Sequence, residues 1–189
     1  MNTYDFDKTI FYPDSSCVFV FYCLRHFPSA FIKRMPGTAR KLLGYYGGRV
    51  TFRELKEQIF SFLSDVDGIE KVVEKFWVRR YKDIEPWYLK QKRDDDIIVS
   101  ASPEFLLKPV CDKLGVRLIA TKMDPGTGKI IGANCHDREK VHRFYEEYPD
   151  AHTECFYSDS LTDAPMAEIA DRAFLVDRGK LSPWPKNNT

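Results

Sequence analysis

The chain has 189 residues, of which 43% are hydrophobic and 30% charged, and its formal net charge is +1. This composition is that of an ordinary globular protein and excludes a disordered tail or a fibre. The near-neutral charge gives no reason to expect nucleic acid as a partner.

Targeting and redox features point to the cytoplasm. The opening sequence MNTYDFDKTI lacks the basic and apolar regions of a signal peptide. The longest apolar run, residues 17–24, is far shorter than the ~20 residues that cross a bilayer. Five scattered cysteines lack the C-x-x-C spacing of a zinc site or a redox dithiol, which favours reduced thiols. We therefore expect a cytoplasmic protein.

The first half of the chain predicts one short strand followed by helices. The opening residues predict a strand that ends at the polar turn formed by residues 5–9. From residue 14 to about residue 89, apolar residues recur at helical spacing, and prolines and glycines interrupt them. We interpret residues 14–89 as a block of short helices inserted after the first strand.

The second half alternates predicted strands and helices. Strands are predicted from residue 97, where Ile-Ile-Val begins, and at 117–121, 154–157 and 173–176, with helices at 104–114, 137–148 and 163–170. The acidic run 94–96 before them is interpreted as a solvated loop. Such alternation implies a mainly parallel sheet with helices on both faces. The expected fold class is therefore α/β, with a three-layer α/β/α Rossmann-like core built from residues 1–13 and 90–189.

Polar side chains follow three of these strands where they end. Ligands bind at the carboxyl edge of an open α/β sheet, so these side chains are candidate site residues. Carboxylates that meet at one edge repel one another unless a cation lies among them, and hard oxygen ligands favour Mg²⁺. The candidates are Asp5, Asp7, Ser100, Ser102, Asp159 and Asp163, together with Lys140 from the segment before the last strand end.

The strings DFDKTI, IIVSAS, the lysine at 140 and YSDSLTDAPM occur in that order. This ordered set resembles the four motifs of the haloacid-dehalogenase phosphatases, specifically subfamily IB, which includes the phosphoserine phosphatases. The resemblance spans nearly the whole chain. The helical block at 14–89 matches the C1-type cap of that subfamily, which lies over the carboxyl ends of the strands.

The resemblance implies a role for each motif residue. Asp5 would be the nucleophile that forms an aspartyl-phosphate, and Asp7 would be the general acid and then the general base. Ser100 and Lys140 would bind the transferring phosphoryl group. The implied Mg²⁺ ligands are Asp5, the backbone carbonyl of Asp7 and Asp159, with Asp163 close by.

Each motif taken alone also has an ordinary structural explanation. Asp5 and Asp7 could form a turn, and the two serines of IIVSAS could cap the helix that follows. Asp159 could cap a helix, and Lys122 and Lys129 compete with Lys140 as the phosphate-binding lysine. The occurrence of all four motifs in order favours the catalytic interpretation.

The substrate is left open by the sequence. The resemblance places Asp14 where phosphoserine phosphatases carry a glutamate that meets the substrate amine, and Arg53 a few residues before their cap arginine. Ser102 is a third candidate for contact with substrate. The second motif, Ser-Ala-Ser-Pro, departs from the Ser-Gly-Gly of those enzymes. A small phosphorylated metabolite is the first hypothesis, with phosphoserine as one candidate.

Two alternatives remain. No Asp or Glu occurs between residues 15 and 53, and basic and aromatic residues cluster at 31–34 and 40–46. This stretch could contact anionic lipid in a peripheral phosphatase of a lipid head group, although a cap helix with a solvated basic face is favoured. The second alternative is a catalytically silent binding module, which the four filled motifs disfavour.

Overall fold

The computed structural model describes residues 1–185. A short strand opens the chain, and six helices follow before the next strand. These elements are β1 (Asn2–Tyr4), α1 (Ser15–His26), α2 (Pro28–Ile32), α3 (Met35–Tyr46), α4 (Phe52–Phe60), α5 (Ile69–Arg80) and α6 (Pro86–Gln91). Single 3₁₀ turns follow α4 and α5.

Strands and helices alternate in the rest of the chain. The elements are β2 (Ile97–Pro103), α7 (Glu104–Leu114), β3 (Arg117–Thr121), α8 (Arg138–Glu147), β4 (Thr153–Ser158), α9 (Ala164–Glu168), β5 (Ala170–Asp177) and β6 (Lys180–Pro183). Together the strands form one sheet in the order β3-β2-β1-β4-β5-β6. The four pairs among β1 to β5 are parallel, and β6 is antiparallel to β5. The expected α/β class with a mainly parallel sheet is confirmed.

The strand order indicates where a ligand-binding crevice opens at the edge of the sheet. From β1 the chain adds β2 and β3 on one side of the sheet, then returns to add β4 on the other side. The direction of winding therefore reverses between β1 and β4, and crevices of α/β sheets open at such a point. The backbone N–H of Asp5 extends this pairing by donating to the carbonyl of Tyr157 at 2.8 Å.

One hydrophobic cluster joins the sheet to part of the helical block. It contains Tyr4 of β1, Phe19 of α1, Phe76 of α5 and Leu106 of α7, all fully buried. The indole N–H of Trp77 donates to the carbonyl of Leu106 at 2.6 Å, which ties α5 to α7. Because α1 and α5 share the core of the sheet, the division of the chain at residues 14 and 89 stays a prediction.

Several predicted elements coincide with the structure and others differ. The helix at 104–114 and the strand at 117–121 match α7 and β3. The helix predicted at 163–170 is shorter, because β5 already pairs with β4 from Ala170. The hairpin to β6 was not predicted from the sequence, although Arg178 and Gly179 both have positive φ (47° and 76°), as a two-residue hairpin turn needs.

The acidic run 94–96 is only partly solvated, which corrects its interpretation as a loop in water. Asp96 is fully buried, and its carboxylate accepts hydrogen bonds from the backbone N–H groups of Asn2 and Arg93. Across residues 1–185, no helix combines the length and the apolar character needed to cross a membrane.

Candidate active site

The predicted catalytic residues converge at the carboxyl edge of the sheet. Asp5 follows β1 directly and is only 7% exposed. A cavity of about 870 Å³ opens beside it. The cavity is lined by all seven candidates from the strand ends and α8, namely Asp5, Asp7, Ser100, Ser102, Lys140, Asp159 and Asp163.

Lys140 bridges two of the carboxylates. Its ammonium group donates to Asp5 Oδ1 and to Asp163 Oδ2, each at 2.7 Å, and its side chain is 2% exposed. Asp163 also accepts a hydrogen bond from the Ser158 hydroxyl at 2.7 Å. Burial alone would lower the pKa of Lys140, but the two carboxylates raise it above its ordinary value, so the lysine is charged.

The charge around Asp5 is not balanced by protein groups alone. Burial raises the pKa of the Asp5 carboxyl, Lys140 opposes that shift, and the carboxylates of Asp163 and Asp7 raise the pKa further. The net effect is that the pKa of Asp5 lies above its ordinary value. One ammonium group thus faces several carboxylates, an arrangement that a second cation would stabilise.

Asp7 is held in a fixed orientation by hydrogen bonds to both of its oxygens. The backbone N–H of Ser15 donates to Oδ1 at 2.6 Å, and the Ser102 hydroxyl donates to Oδ2. Burial, followed by repulsion from Asp14, raises the pKa of Asp7 to about 6, although both serines lower it. A carboxyl group with such a pKa exchanges protons near neutral pH, as general acid and base catalysis requires.

Ser100 and Asp159 complete the edge. The Ser100 hydroxyl is 1% exposed and accepts a hydrogen bond from the backbone N–H of Ser102 at 3.1 Å. The backbone N–H of Asp159 donates to the Thr9 hydroxyl at 2.9 Å, which ties the end of β4 to the loop after β1. Burial raises the pKa of Asp159, and Lys8 opposes that shift.

The donor set fits Mg²⁺. Asp5 and Asp159 offer carboxylate oxygens, and the expected third protein ligand is the carbonyl oxygen of Asp7. Within residues 1–185, no three or more His, Cys, Asp and Glu side chains form a group that could hold a metal. Mg²⁺ usually takes only one or two carboxylates and keeps water or substrate phosphate oxygens in its other positions.

Of the predicted cap contacts, Asp14 lies at the cavity but has a structural task. It is the N-cap of α1, and its carboxylate accepts a hydrogen bond from the backbone N–H of Cys17 at 2.8 Å. It also lines the cavity. A contact between Asp14 and substrate therefore stays a prediction.

Arg53 is not among the residues that line the cavity, and its predicted substrate contact stays a prediction. Its guanidinium donates to the backbone carbonyls of Gly132 at 2.5 Å and Ile130 at 2.8 Å. Among the described residues, the cavity lining includes Lys56 but not Arg53. Arg53 instead joins α4 to the segment between β3 and α8.

Lys56 is a lysine of α4 that lines the cavity and that the sequence analysis did not identify. It is 8% exposed, and its ammonium group donates to the carbonyl of Ala101 at 2.6 Å and to Asn134 Oδ1 at 2.8 Å. Burial lowers its pKa to about 8, with Asp7 and Asp14 opposing the shift. Its position halfway between Phe52 and Phe60 puts a lysine on the apolar face of α4, a pattern that could have indicated a buried role.

Comparison with known proteins assigns the chain to a family. The profile of the haloacid dehalogenase-like hydrolases matches residues 3–168, which is most of the chain. The chain belongs to this family.

The curated relatives align over less than half of the chain. Protein CicA of Caulobacter vibrioides is 37% identical over 44% of the chain and 41% of its own length. Probable phosphatase Rv3661 of Mycobacterium tuberculosis is 35% identical over 48% of the chain and 37% of its own length. The chain therefore spans about two fifths of the length of the curated relatives it matches.

Solved structures share the fold over nearly the whole chain. A protein of unknown function from Bordetella pertussis Tohama I superposes with a TM-score of 0.75 at 22% identity, over 92% of this chain and 87% of that protein. A substrate-bound phosphoserine phosphatase superposes with a TM-score of 0.57 at 18% identity, over 90% and 82%. At these identities the likeness is one of fold.

Proposed function

We propose that this hydrolase is a Mg²⁺-dependent phosphomonoesterase that works through an aspartyl-phosphate on Asp5. The observation that carries the proposal is the state of the Asp5 carboxylate. Lys140 holds Oδ1 at 2.7 Å, whereas Oδ2 accepts no hydrogen bond from residues 1–185, and Asp5 lines the cavity. One oxygen is thus fixed and the other is free to attack a phosphorus atom.

Two displacements complete the reaction. In the first, the free oxygen of Asp5 attacks the phosphorus, the bond to the ester oxygen breaks, and the Asp7 carboxyl gives its proton to the departing alkoxide. In the second, water attacks the phosphorus and gives a proton to Asp7, and the bond to Asp5 breaks to release phosphate. A pKa of about 6 lets Asp7 serve in both steps near neutral pH.

The dianionic substrate has to approach a cluster of carboxylates, so the site needs positive charge and hydrogen-bond donors. Lys140 supplies a buried ammonium group, and the Ser100 hydroxyl lines the cavity as a donor to a phosphoryl oxygen. Bound Mg²⁺ would offset the charge that remains on the carboxylates and the phosphate. Preorganised charges of this kind are the main source of rate acceleration in phosphoryl transfer.

Asp5→Asn tests the nucleophile. The change is nearly isosteric, so the folded state should survive while phosphate release from p-nitrophenyl phosphate with Mg²⁺ falls by more than about a thousandfold, or ~4 kcal/mol. Asp94→Asn, at a position where the aspartate side chain is fully exposed, is the matched control and should keep full activity. Activity of Asp5→Asn above about a thousandth of wild type would exclude the nucleophile role.

The same assay separates the alternative functions. A catalytically silent binding module would release no phosphate from any ester. A metabolite phosphatase would rank small polar esters first in a panel of phosphorylated compounds, whereas a lipid phosphatase would rank amphiphilic esters first. The part of the cavity beyond the carboxylates determines which ranking we expect.

A further inference from the structure

The cavity continues from the catalytic carboxylates into an apolar chamber, defined here as its part between α1, α2, α3 and α4. Its volume of about 870 Å³ lies near the upper end of the range for small-molecule sites, ~300–1,000 Å³. A bound phosphate group would fill only the end of the cavity beside Asp5. The apolar side chains that line the chamber include Phe21, Phe31, Met35, Leu42, Phe52 and Ile59.

Helix α3 indicates that the chamber needs an occupant. None of its twelve residues is buried, although Met35 and Leu42 line the chamber. These two side chains are 63% and 42% exposed. Apolar surface that faces an interior space without being covered favours a ligand that removes it from water.

Exposed apolar side chains concentrate around this helix. Of the sixteen large hydrophobic residues that are exposed among residues 1–185, nine lie between residues 21 and 52. The same stretch contains no Asp or Glu, but it contains six Lys and Arg residues. An apolar surface with basic residues suits an amphiphile whose head group is anionic.

Three charged side chains near the chamber, those of Arg34, Lys56 and Asp14, are already paired within the protein. The Arg34 guanidinium donates to Asp65 Oδ2 at 2.7 Å and to the Ser64 hydroxyl at 2.7 Å. Lys56 is bound to Ala101 and Asn134, and Asp14 caps α1. The chamber therefore has few unpaired charged groups that could bind a compact polar ester. It has a continuous apolar surface that could bind an apolar chain.

We propose that the substrate is a phosphate monoester with a long apolar chain, which lies in the chamber while its phosphate reaches Asp5. The proposal rests on the phosphatase function and specifies its substrate class. The phosphate supplies the reacting group, and the chain supplies binding energy remote from the reaction.

The test is a series of n-alkyl monophosphates with two to twelve carbons, each kept below its micelle concentration, with phosphate release measured in Mg²⁺. We expect kcat/KM to rise by about two- to fourfold for each methylene until the chamber is full, and then to level off. A flat or falling profile overturns the proposal while leaving the phosphatase function intact. If no ester were hydrolysed, the phosphatase function would fail instead.

A binding measurement distinguishes failure of the proposed substrate class from failure of the phosphatase function. Titration of Asp5→Asn protein with the matching alkyl phosphonates, which cannot be hydrolysed, measures binding to the chamber in the absence of the reaction. Affinity that increases with chain length supports the chamber as a site for apolar chains. Affinity that is independent of chain length overturns it, whatever the hydrolysis assay shows.

Two chamber variants and one control test whether the apolar chain of the substrate lies in the chamber. Ala39→Phe should move the plateau to shorter chains, because a larger side chain at this lining position occupies part of the chamber. Leu42→Gln should reduce the gain per methylene. Val78→Gln changes a residue on α5 that is 80% exposed and lies outside the cavity lining, so its profile should match wild type. Equal profiles for Ala39→Phe and Val78→Gln would contradict the proposal.

One long-chain ester, supplied either in vesicles or as dissolved monomer, can show whether the substrate comes from a membrane or from solution. Faster hydrolysis from vesicles that contain anionic lipid would identify a membrane lipid phosphate. Faster hydrolysis of the dissolved monomer would identify a free amphiphile. Both results support the same substrate class, and the first would also account for the basic residues of this stretch.

Discussion

Replacing Lys140 with methionine should strongly destabilise the folded state in metal-free buffer. The ammonium group lies 2.7 Å from carboxylate oxygens of Asp5 and Asp163, whose side chains are only 10% and 4% exposed. Methionine keeps most of the apolar stem, so the loss is mainly electrostatic. Breaking a buried ion pair by removing one partner costs ~3–5 kcal/mol, and here two carboxylates lose their partner.

The measurement is urea unfolding of wild type and variant in EDTA at pH ~8. A loss of ~3–5 kcal/mol is a large share of the ~5–15 kcal/mol that stabilises a typical domain, so the midpoint should fall clearly. Lys108→Met is the matched control, because the Lys108–Asp112 pair has the same chemistry with both side chains 57% exposed. Exposed pairs contribute ~1 kcal/mol or less.

The pH dependence of the loss has a definite sign. Burial already raises the pKa of Asp5 above its ordinary value, and Lys140 opposes that shift. A carboxyl group with a raised pKa in the folded state destabilises the fold when it is ionised, and the penalty disappears as the pH falls below that pKa. The deficit of Lys140→Met should therefore be smaller at pH ~5.5 than at pH ~8. A deficit equal to that of Lys108→Met, or one independent of pH, would refute the electrostatic account.

Three further predictions concern the acid, the metal and the contact of Gly128 with the end of α4. Ser102→Ala removes a hydrogen bond that lowers the pKa of Asp7, so the alkaline limb of the kcat/KM profile should move to higher pH; an unmoved limb would contradict the acid role. Activity should be lost in EDTA, recovered with Mg²⁺ and inhibited by Ca²⁺, whose longer bonds and higher coordination number suit this site less; full activity after exhaustive chelation would exclude the metal. Gly128→Ala should lower stability by ~2–4 kcal/mol in urea unfolding, because a Cβ there meets the carbonyl of Phe60 at a φ of 74°. Gly48→Ala, with a φ of 69° and open space around it, is the control and should cost only ~1–2 kcal/mol.

The sheet and its catalytic edge could be predicted because both depend on local pattern. Short apolar runs marked the buried strands, and parallel strands bring their carboxyl ends to one edge. Asp5 and Asp159 therefore had to lie at the same edge once β1 and β4 were adjacent. The bridging position of Lys140 could not be read from spacing, since it depends on contacts with residues 135 and 23 positions away.

The cap contacts were harder to predict, because they depend on how α4 is placed against the core. Arg53 and Lys56 are three residues apart on the same helix, yet one binds carbonyls beyond β3 and the other binds the end of β2. Both contacts cross 45 or more residues of sequence. Asp14 was different, because an aspartate directly before a helix is a recognised N-cap pattern, and its capping role could have been predicted from the sequence.

The helices around the chamber are attached to the catalytic edge to different degrees. Arg53 and Lys56 fix α4 to backbone carbonyls of the core, and the Glu57 carboxylate accepts from the backbone N–H of Ile130 at 3.1 Å. Helix α3 packs against α4 and has no buried residue of its own. Few buried contacts favour local opening, so we expect α3 to move at a lower cost than α4. Opening there would admit an apolar chain while Lys56 and the end of β2, which includes Ser102, keep their positions beside Asp7.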